Sequence, residues 1–203
     1  MSDLQCAARV LVVRHGAADY ESELLSDSGG WLSPLGRQQS RELAERLVPE
    51  RIARVWSSPM SRAVQTAEIV AGALGVDVVV REGLREFGVG VHAGGTGNPD
   101  PFRETFAAWV AGDLDARVEG AESGAEVVGR VSEVLAEVAD AHRGEAALVV
   151  SHGGAICAGV PALARNVSPG HALDVPLANC DLVELEADAD GWVCRSWAGH
   201  PLT

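Results

Sequence analysis

The stretch VLVVRHG at residues 10–16 decides how the rest of the chain is interpreted. Its four apolar residues predict a short, fully buried β-strand, which ends abruptly in a cation, an imidazole and a glycine. Open α/β sheets bind their ligands beyond the carboxyl ends of the strands. Arg14, His15 and Gly16 therefore stand where a binding site is expected.

Length and composition limit the possible functions. The 203 residues suffice for one well-buried domain, which we predict to span residues 1–203. A net charge of −13 and an aromatic content of 4% argue against nucleic-acid and anionic-membrane partners. The four cysteines lack the spacing of a metal site or a disulfide scaffold, and the N-terminus lacks a secretory signal, so we expect a cytoplasmic protein.

Strand and helix patterns alternate along most of the chain. Short strands are predicted at 52–56, 76–80 and 146–150, and helices at 34–48, 60–74, 123–139 and from about 154. Two final strands, 182–185 and 192–197, form a predicted hairpin. Such alternation requires parallel neighbours, so we predict an α/β fold, a three-layer α/β/α sandwich with a mostly parallel central sheet.

Further polar residues follow the other predicted strands. Arg62 comes after the second, Glu86 after the third, and Ser151-His152-Gly153 after the fourth. Two arginines at one sheet edge favour an anion, because the guanidinium fork donates two hydrogen bonds to phosphate oxygens and keeps its charge. The sequence therefore predicts a pocket for one phosphate group.

Histidine and glutamate supply the groups that phosphoryl transfer needs. A neutral imidazole can attack phosphorus, and we assign this role to His15, with His152 as the alternative. Glu86 fits the general acid and base, although Glu82 is close in sequence. The hydroxyl of Ser58 has two open interpretations, a hydrogen bond to phosphate or a cap on the next helix. A metal site of two histidines and one carboxylate is disfavoured because the two arginines would repel a cation.

Four motifs in order resemble those of the histidine phosphatase superfamily, which contains cofactor-dependent phosphoglycerate mutases and many small-molecule phosphatases. The motifs are VRHG at 13–16, SSP at 57–59 followed by Arg62, LRE at 84–86 and SHG at 151–153. The resemblance runs from about residue 9 to residue 185 and implies a phosphoglycerate mutase-like fold, with neither a metal nor an organic cofactor. It implies that His15 becomes phosphorylated, that Glu86 is the acid and base, and that the phosphate-binding set is Arg14, Arg62 and His152, to which we add Gly16, Ser58 and Gly153.

The chain departs from the family beside the first motif. Members commonly carry an acidic residue and a threonine after RHG and an asparagine three residues further on, where this chain has Ala17, Ala18 and Glu21. One phosphate-contacting side chain is therefore expected to be missing, and the mouth of the pocket to be more acidic.

These observations predict a phosphatase acting on a small-molecule phosphate monoester through a phosphohistidine. A phosphoglycerate mutase-type transfer and a catalytically weak phosphate-binding module are the alternatives. Specificity is expected in segments 17–32 and 87–120, whose candidate side chains are Tyr20, Trp31, His92, Phe102, Arg103, Phe106, Trp109 and Arg117. Among these, His92 is a candidate substrate contact, whereas the histidines at 142, 171 and 200 are expected at the surface. The oligomeric state, a homodimer included, stays open.

Overall fold

The computed structural model describes residues 6–20 and 24–203. The strands are β1 (Ala8–Arg14), β2 (Ala18–Asp19), β3 (Trp31–Leu32), β4 (Ile52–Ser57), β5 (Val78–Val80), β6 (Ala146–Ser151), β7 (Leu182–Asp188), β8 (Gly191–Trp197) and β9 (His200–Pro201). The α-helices are α1 (Pro34–Leu47), α2 (Ser61–Leu74), α3 (Arg103–Val110), α4 (Gly124–Ala141), α5 (Gly153–Leu163) and α6 (His171–Asp174). Short 3₁₀ helices occupy Val48–Glu50, Glu82–Leu84 and Gly90–His92.

The predicted α/β fold is confirmed. Seven strands form one sheet in the order β5-β4-β6-β1-β7-β8-β9, and β2 pairs with β3 separately. The four strands from β5 to β1 run parallel, whereas β7, β8 and β9 continue the sheet as an antiparallel meander. The predicted C-terminal hairpin is therefore present, and the parallel half of the sheet carries the polar strand ends.

Two helical layers cover the sheet, as expected for an α/β/α sandwich. Leu11 and Val13 point to the side where α1 and α2 pack, and Val10 and Val12 point to the side of α4 and α5. Strand residues alternate between the two faces of a sheet, so a strand buried on both sides is apolar at every position. This explains the uninterrupted apolar run in β1.

The register of the parallel strands places the carboxyl ends of β1, β4 and β6 level with one another. Arg14 at the end of β1 is opposite Ser151 at the end of β6. Ser57 at the end of β4 is opposite Val150, the residue before Ser151. The residues that follow these strands, His15, Ser58 and His152, therefore start from neighbouring points on one sheet edge.

The helix ends carry the capping residues that are typical of such positions, but the buried face of α1 differs from the one expected. Ser33 caps α1, Gly75 ends α2 with a positive φ of 70°, and Ser123 forms a complete capping box for α4. The spacing of Leu35, Leu43, Leu47 and Val48 predicts one buried apolar face for the first helix, but Leu35 and Val48 are 56% and 64% exposed. That face begins at Gly36, because the loop after β1 packs so closely there that a Cβ would lie 1.9 Å from the carbonyl oxygen of Ala17. Of the helices in the described ranges, none is long and apolar enough to cross a membrane.

The contact between α4 and α5 provides a test of the helical layer. A Cβ on Gly159 of α5 would lie 2.6 Å from a methyl carbon of Val131, whereas a Cβ on Gly129 of α4 would meet nothing within 4 Å. We expect Gly159→Ala to lower the free energy of unfolding by about 1 to 2 kcal/mol through overpacking. Gly129→Ala, the control, is expected to raise it by about 1 kcal/mol through helix propensity. Urea unfolding measures both, and equal effects would contradict the packing.

Candidate functional site

His15 is held at the end of β1 by hydrogen bonds that also fix its tautomer. Its backbone N–H donates to Ser151, and its carbonyl accepts from the Asn179 side chain. The ring Nδ1 lies 2.7 Å from the carbonyl oxygen of Gly16, and Nε2 accepts a hydrogen bond of 2.9 Å from Nε of Arg62. A carbonyl oxygen can only accept, so Nδ1 carries the proton. The lone pair of the neutral ring is therefore on Nε2.

Burial keeps this imidazole neutral. The side chain is 5% exposed, and burial, reinforced by the Arg62 guanidinium, lowers the pKa of His15 to about 3. The same causes, with burial first, lower the pKa of His152 well below its usual value. The two rings lie close together, with centroids 5.1 Å apart. Both are neutral bases at physiological pH.

Three buried nitrogen atoms around His15 lack a partner: Nε of Arg14, Nη1 of Arg62 and Nδ1 of His152. Leaving a buried donor unpaired costs about 1 to 3 kcal/mol, and more for a charged group. Arg14 is anchored by a 2.6 Å hydrogen bond from Nη1 to the Leu177 carbonyl, so its Nε is not free to turn away. We call Arg14, His15, Arg62 and His152 the anion pocket, because its free donors suit an oxyanion.

Ser58 and Gly16 serve the anion pocket indirectly. The Ser58 hydroxyl lies 2.7 Å from Nε2 of His152 and accepts from the N–H of Met60, so it positions His152 and leaves α2 without a side-chain cap. The N–H of Gly16 donates to the Thr66 hydroxyl, and its carbonyl faces His15. The assignment of Gly16 as a phosphate ligand stays a prediction, and in this structure its N–H is paired with Thr66.

Glu86 lies at the N-terminus of α5. Its carboxylate accepts backbone hydrogen bonds of 2.9 and 2.8 Å from Gly154 and Ala155, the start of the helix that follows His152. Burial raises the pKa of Glu86, although these bonds, a third from Phe87 and the Arg62 charge oppose the shift. A carboxyl group that gains affinity for a proton in this way is suited to act as an acid.

Arg130 of α4 fixes the loop that carries Glu86. Its Nη1 donates to the carbonyls of Gly83 and Arg85 at 2.9 and 2.6 Å. The rest of its guanidinium forms a bidentate ion pair with Glu122, at 2.6 and 3.0 Å. Sequence reasoning missed this residue, because an arginine in an amphipathic helix carries no signal of the loop it reaches.

An open cleft of about 930 Å³ lies above the anion pocket. Arg14, His15, Arg62, Glu86 and Gly153 line it. Of the side chains proposed for specificity, the cleft is lined by Tyr20, Phe102, Arg103 and Phe106 but not by Trp31, His92, Trp109 or Arg117. His92 instead packs its ring against Phe102, with centroids 5.6 Å apart.

The remaining sequence assignments have mixed outcomes. The expectation that His142 lies at the surface was wrong: it is 5% exposed, because its Nε2 is the acceptor for the indole N–H of Trp56. Ala17 and Ala18 do not line the cleft, and Glu21 lies outside the described residues. Within residues 6–20 and 24–203, no three His, Cys, Asp or Glu side chains are grouped to hold a metal ion.

Comparison with known proteins identifies the family. The sequence profile of the histidine phosphatase superfamily (branch 1) matches residues 10–199. The chain belongs to the histidine phosphatase superfamily. Within this superfamily, the probable phosphoglycerate mutase GpmB of Escherichia coli is 31% identical over 201 residues, covering 93% of this chain and 89% of that protein. The resemblance predicted from the four motifs is thus confirmed.

Solved structures of the superfamily match almost the whole chain. A mycobacterial glucosyl-3-phosphoglycerate phosphatase has a TM-score of 0.77 and 26% identity, covering 95% of this chain and 99% of that one. YhfR of Bacillus stearothermophilus has a TM-score of 0.79 at 23% identity, covering 95% of this chain and 97% of that one, and supports the fold alone. The relatives thus include a phosphatase and a probable mutase.

The buried histidines make stability depend on pH. The pKa of His15 is about 6.5 in the unfolded chain and about 3 in the fold, so below pH 6.5 the unfolded state binds the extra proton. Stability is therefore lost as the pH falls, by about 2 kcal/mol between pH 7 and pH 5 for this one group. We expect His15→Asn to remove that part of the difference between urea unfolding at the two pH values.

His200 provides the control, because it is exposed in β9 at the far edge of the sheet. His200→Asn should retain the wild-type loss. A His15→Asn protein with the wild-type dependence would show that this imidazole titrates normally in the fold.

Proposed function

We propose that the protein is a phosphatase that hydrolyses a small-molecule phosphate monoester through a phosphohistidine on His15. The observation that carries the proposal is the lone pair of a neutral, buried imidazole beside unpaired donor nitrogens of Arg14 and Arg62. Nδ1 of His152 is also unpaired and is a third donor when the Ser58 hydroxyl donates to Nε2. This combination provides both a nucleophile and stabilisation of a phosphoryl group. The structural relative glucosyl-3-phosphoglycerate phosphatase has been solved in complex with inorganic phosphate, which supports a phosphate group as the ligand of this chain.

In the first step, Nε2 of His15 attacks phosphorus and the bond from phosphorus to the alcohol oxygen breaks. The protonated carboxyl of Glu86, which lines the same cleft, gives its proton to the leaving oxygen. Arg14, Arg62 and His152 donate to the phosphoryl oxygens. The carbonyl of Gly16 keeps accepting from Nδ1 while the ring becomes positively charged, which stabilises the phosphohistidine.

In the second step, water attacks the phosphohistidine. Glu86, now ionised, takes a proton from the water, and the electron pair of the P–N bond returns to Nε2 of His15. Inorganic phosphate leaves, and both residues regain their starting protonation states. The cleft is open, so water can reach the intermediate after the alcohol has left.

A phosphoglycerate mutase-type transfer is the second candidate, favoured by the name of the Escherichia coli relative. A mutase must return the phosphoryl group to a bound carboxylate-bearing substrate, which needs cations beyond the phosphate site. Arg103 is the guanidinium that the cleft lining offers there, and it is exposed. The third candidate, a phosphate-binding module with little turnover, agrees with the missing side chain at Ala18 but uses neither Nε2 of His15 nor Glu86.

The nucleophile can be tested with 4-nitrophenyl phosphate. We expect His15→Ala to lower the rate of phosphate release by at least about 10³-fold, because no covalent intermediate can form. With ³²P-labelled substrate quenched in base, where phosphohistidine survives, the wild-type protein should carry label and His15→Ala should not.

Far-UV circular dichroism checks folding, and His200→Ala is the matched control with wild-type rate and labelling. Undiminished turnover by folded His15→Ala would contradict the proposal. Isomerisation of phosphoglycerate without release of phosphate would favour the mutase, and phosphate binding without turnover of any ester would favour the binding module.

The role of Glu86 can be tested by pH and leaving group. The rate should fall as the pH rises through the elevated pKa of Glu86, because the ionised form cannot protonate the alcohol. Glu86→Gln should remove this fall of the rate at high pH and slow the hydrolysis of an alkyl phosphate about 10²- to 10⁴-fold. Hydrolysis of 4-nitrophenyl phosphate should be slowed far less, since nitrophenolate leaves without a proton. Glu82→Gln is the control, because Glu82 is exposed and does not line the cleft. Equal effects of both substitutions would reject Glu86 as the acid.

A further inference from the structure

We infer that the cleft selects phosphate monoesters of apolar or aromatic alcohols over monoesters that carry a second anionic group. The inference deepens the proposed function and rests on it for the position of the phosphate. It follows from two properties of the cleft beyond the anion pocket, the nature of its wall and the distribution of its charges.

The wall of the cleft is aromatic, and a buried tryptophan packs against it. Phe87 and Phe102 meet edge to face, with ring centroids 5.4 Å apart, and Phe106 lines the cleft beside them. Trp109 supports the set: it is 4% exposed, lies 5.2 Å from Phe87 and 6.1 Å from Phe106, and donates its indole N–H to the Ala116 carbonyl. Such a wall gains free energy by covering apolar surface of a ligand and can stack on an aromatic ring.

The charges outside the anion pocket do not suit a second anion. Arg103 adds one cation to the lining and Asp27 and Asp100 add two acids, with all three side chains exposed. Asp27 is fixed there, because its carboxylate accepts the N–H of Val89 at 2.7 Å. Exposed ion pairs contribute little, so Arg103 offers a carboxylate weak compensation for entering the cleft.

No arginine or lysine of the sequence lies outside the described residues. Residues 21–23 read Glu-Ser-Glu, and all 16 cationic side chains of the chain are arginines at known positions, because the sequence contains no lysine. Beyond its phosphate, a substrate with a carboxylate would therefore meet two acids, Asp27 and Asp100, against one exposed arginine, Arg103.

Binding of phosphonates tests the inference without requiring turnover. Calorimetric titration of the full chain would compare propylphosphonate with two ligands of similar reach, 2-phenylethylphosphonate and 3-phosphonopropionate. We expect the phenylethyl ligand to bind about tenfold more tightly than the propyl ligand, and the carboxylate ligand no more tightly than it. Tighter binding of 3-phosphonopropionate than of propylphosphonate would overturn the inference, as would equal binding of the phenylethyl and propyl ligands.

Variants assign the preference to the wall. Phe102→Ala should abolish most of the tenfold gain, measured as the ratio of 2-phenylethylphosphonate to propylphosphonate affinity within the same variant. Trp31→Ala is the matched control, because Trp31 is a partly exposed aromatic residue that does not line the cleft. A preference for the phenylethyl ligand that survives in both Phe102→Ala and Phe106→Ala would overturn the role of the wall. If a variant fails to fold, the ranking of the three ligands by the wild-type protein still tests the inference.

The two proposals fail in different ways. If the phenylethyl preference is observed but no phosphate ester is hydrolysed, the phosphatase proposal fails and the selectivity stands. If esters are hydrolysed and phosphoserine is preferred over 2-phenylethyl phosphate, the selectivity fails and the phosphatase proposal stands. These two substrates are compared because both are alkyl esters whose leaving oxygen needs a proton. Absence of binding for all three phosphonates would overturn both.

Discussion

The hydrogen bond from Arg62 to Nε2 of His15 is the constraint on which the site depends. It puts a permanent cation against the lone pair of a neutral ring, and both side chains are only 5% exposed where they line the cleft. Burying a charge without a counterion is costly, so this arrangement is satisfied only when an anion enters. The sheet, the two layers of helices and the tight turn after β1 supply the rigidity that keeps the two groups from separating.

Much of this site could be predicted from the sequence because parallel strands share an edge. Once strands ending at about residues 13, 56 and 150 were predicted, the polar residues that follow them were expected to lie near one another, as the parallel register places them. No side-chain orientation was needed for that inference, only the direction of the strands. The helix caps at Ser33 and Ser123 were equally accessible, since each depends on hydrogen bonds within a few residues.

Contacts between residues distant in sequence could not be predicted in the same way. Nothing local indicates that Arg130 reaches two carbonyls 45 and 47 residues away, or that the indole of Trp56 needs His142 as its acceptor. The buried face of α1 was misjudged for the same reason, because Gly36 is buried against a loop rather than against the sheet. Phe102 and Phe106 were among the candidates for specificity but Phe87 was not, because nothing local shows which aromatic side chain of a long loop lines a cleft.

The common edge of β1, β4 and β6 also constrains which mutations this protein can accept during evolution. An insertion or deletion of one residue in any of these strands would carry one member of the anion pocket out of line, and with it the reaction. The loop that contributes Phe87 and Phe102 contains no strand of this sheet, so a change of its side chains leaves the register of the anion pocket intact. Substitutions in that loop can therefore change which substrate binds, whereas the reaction requires all residues of the anion pocket to be retained together.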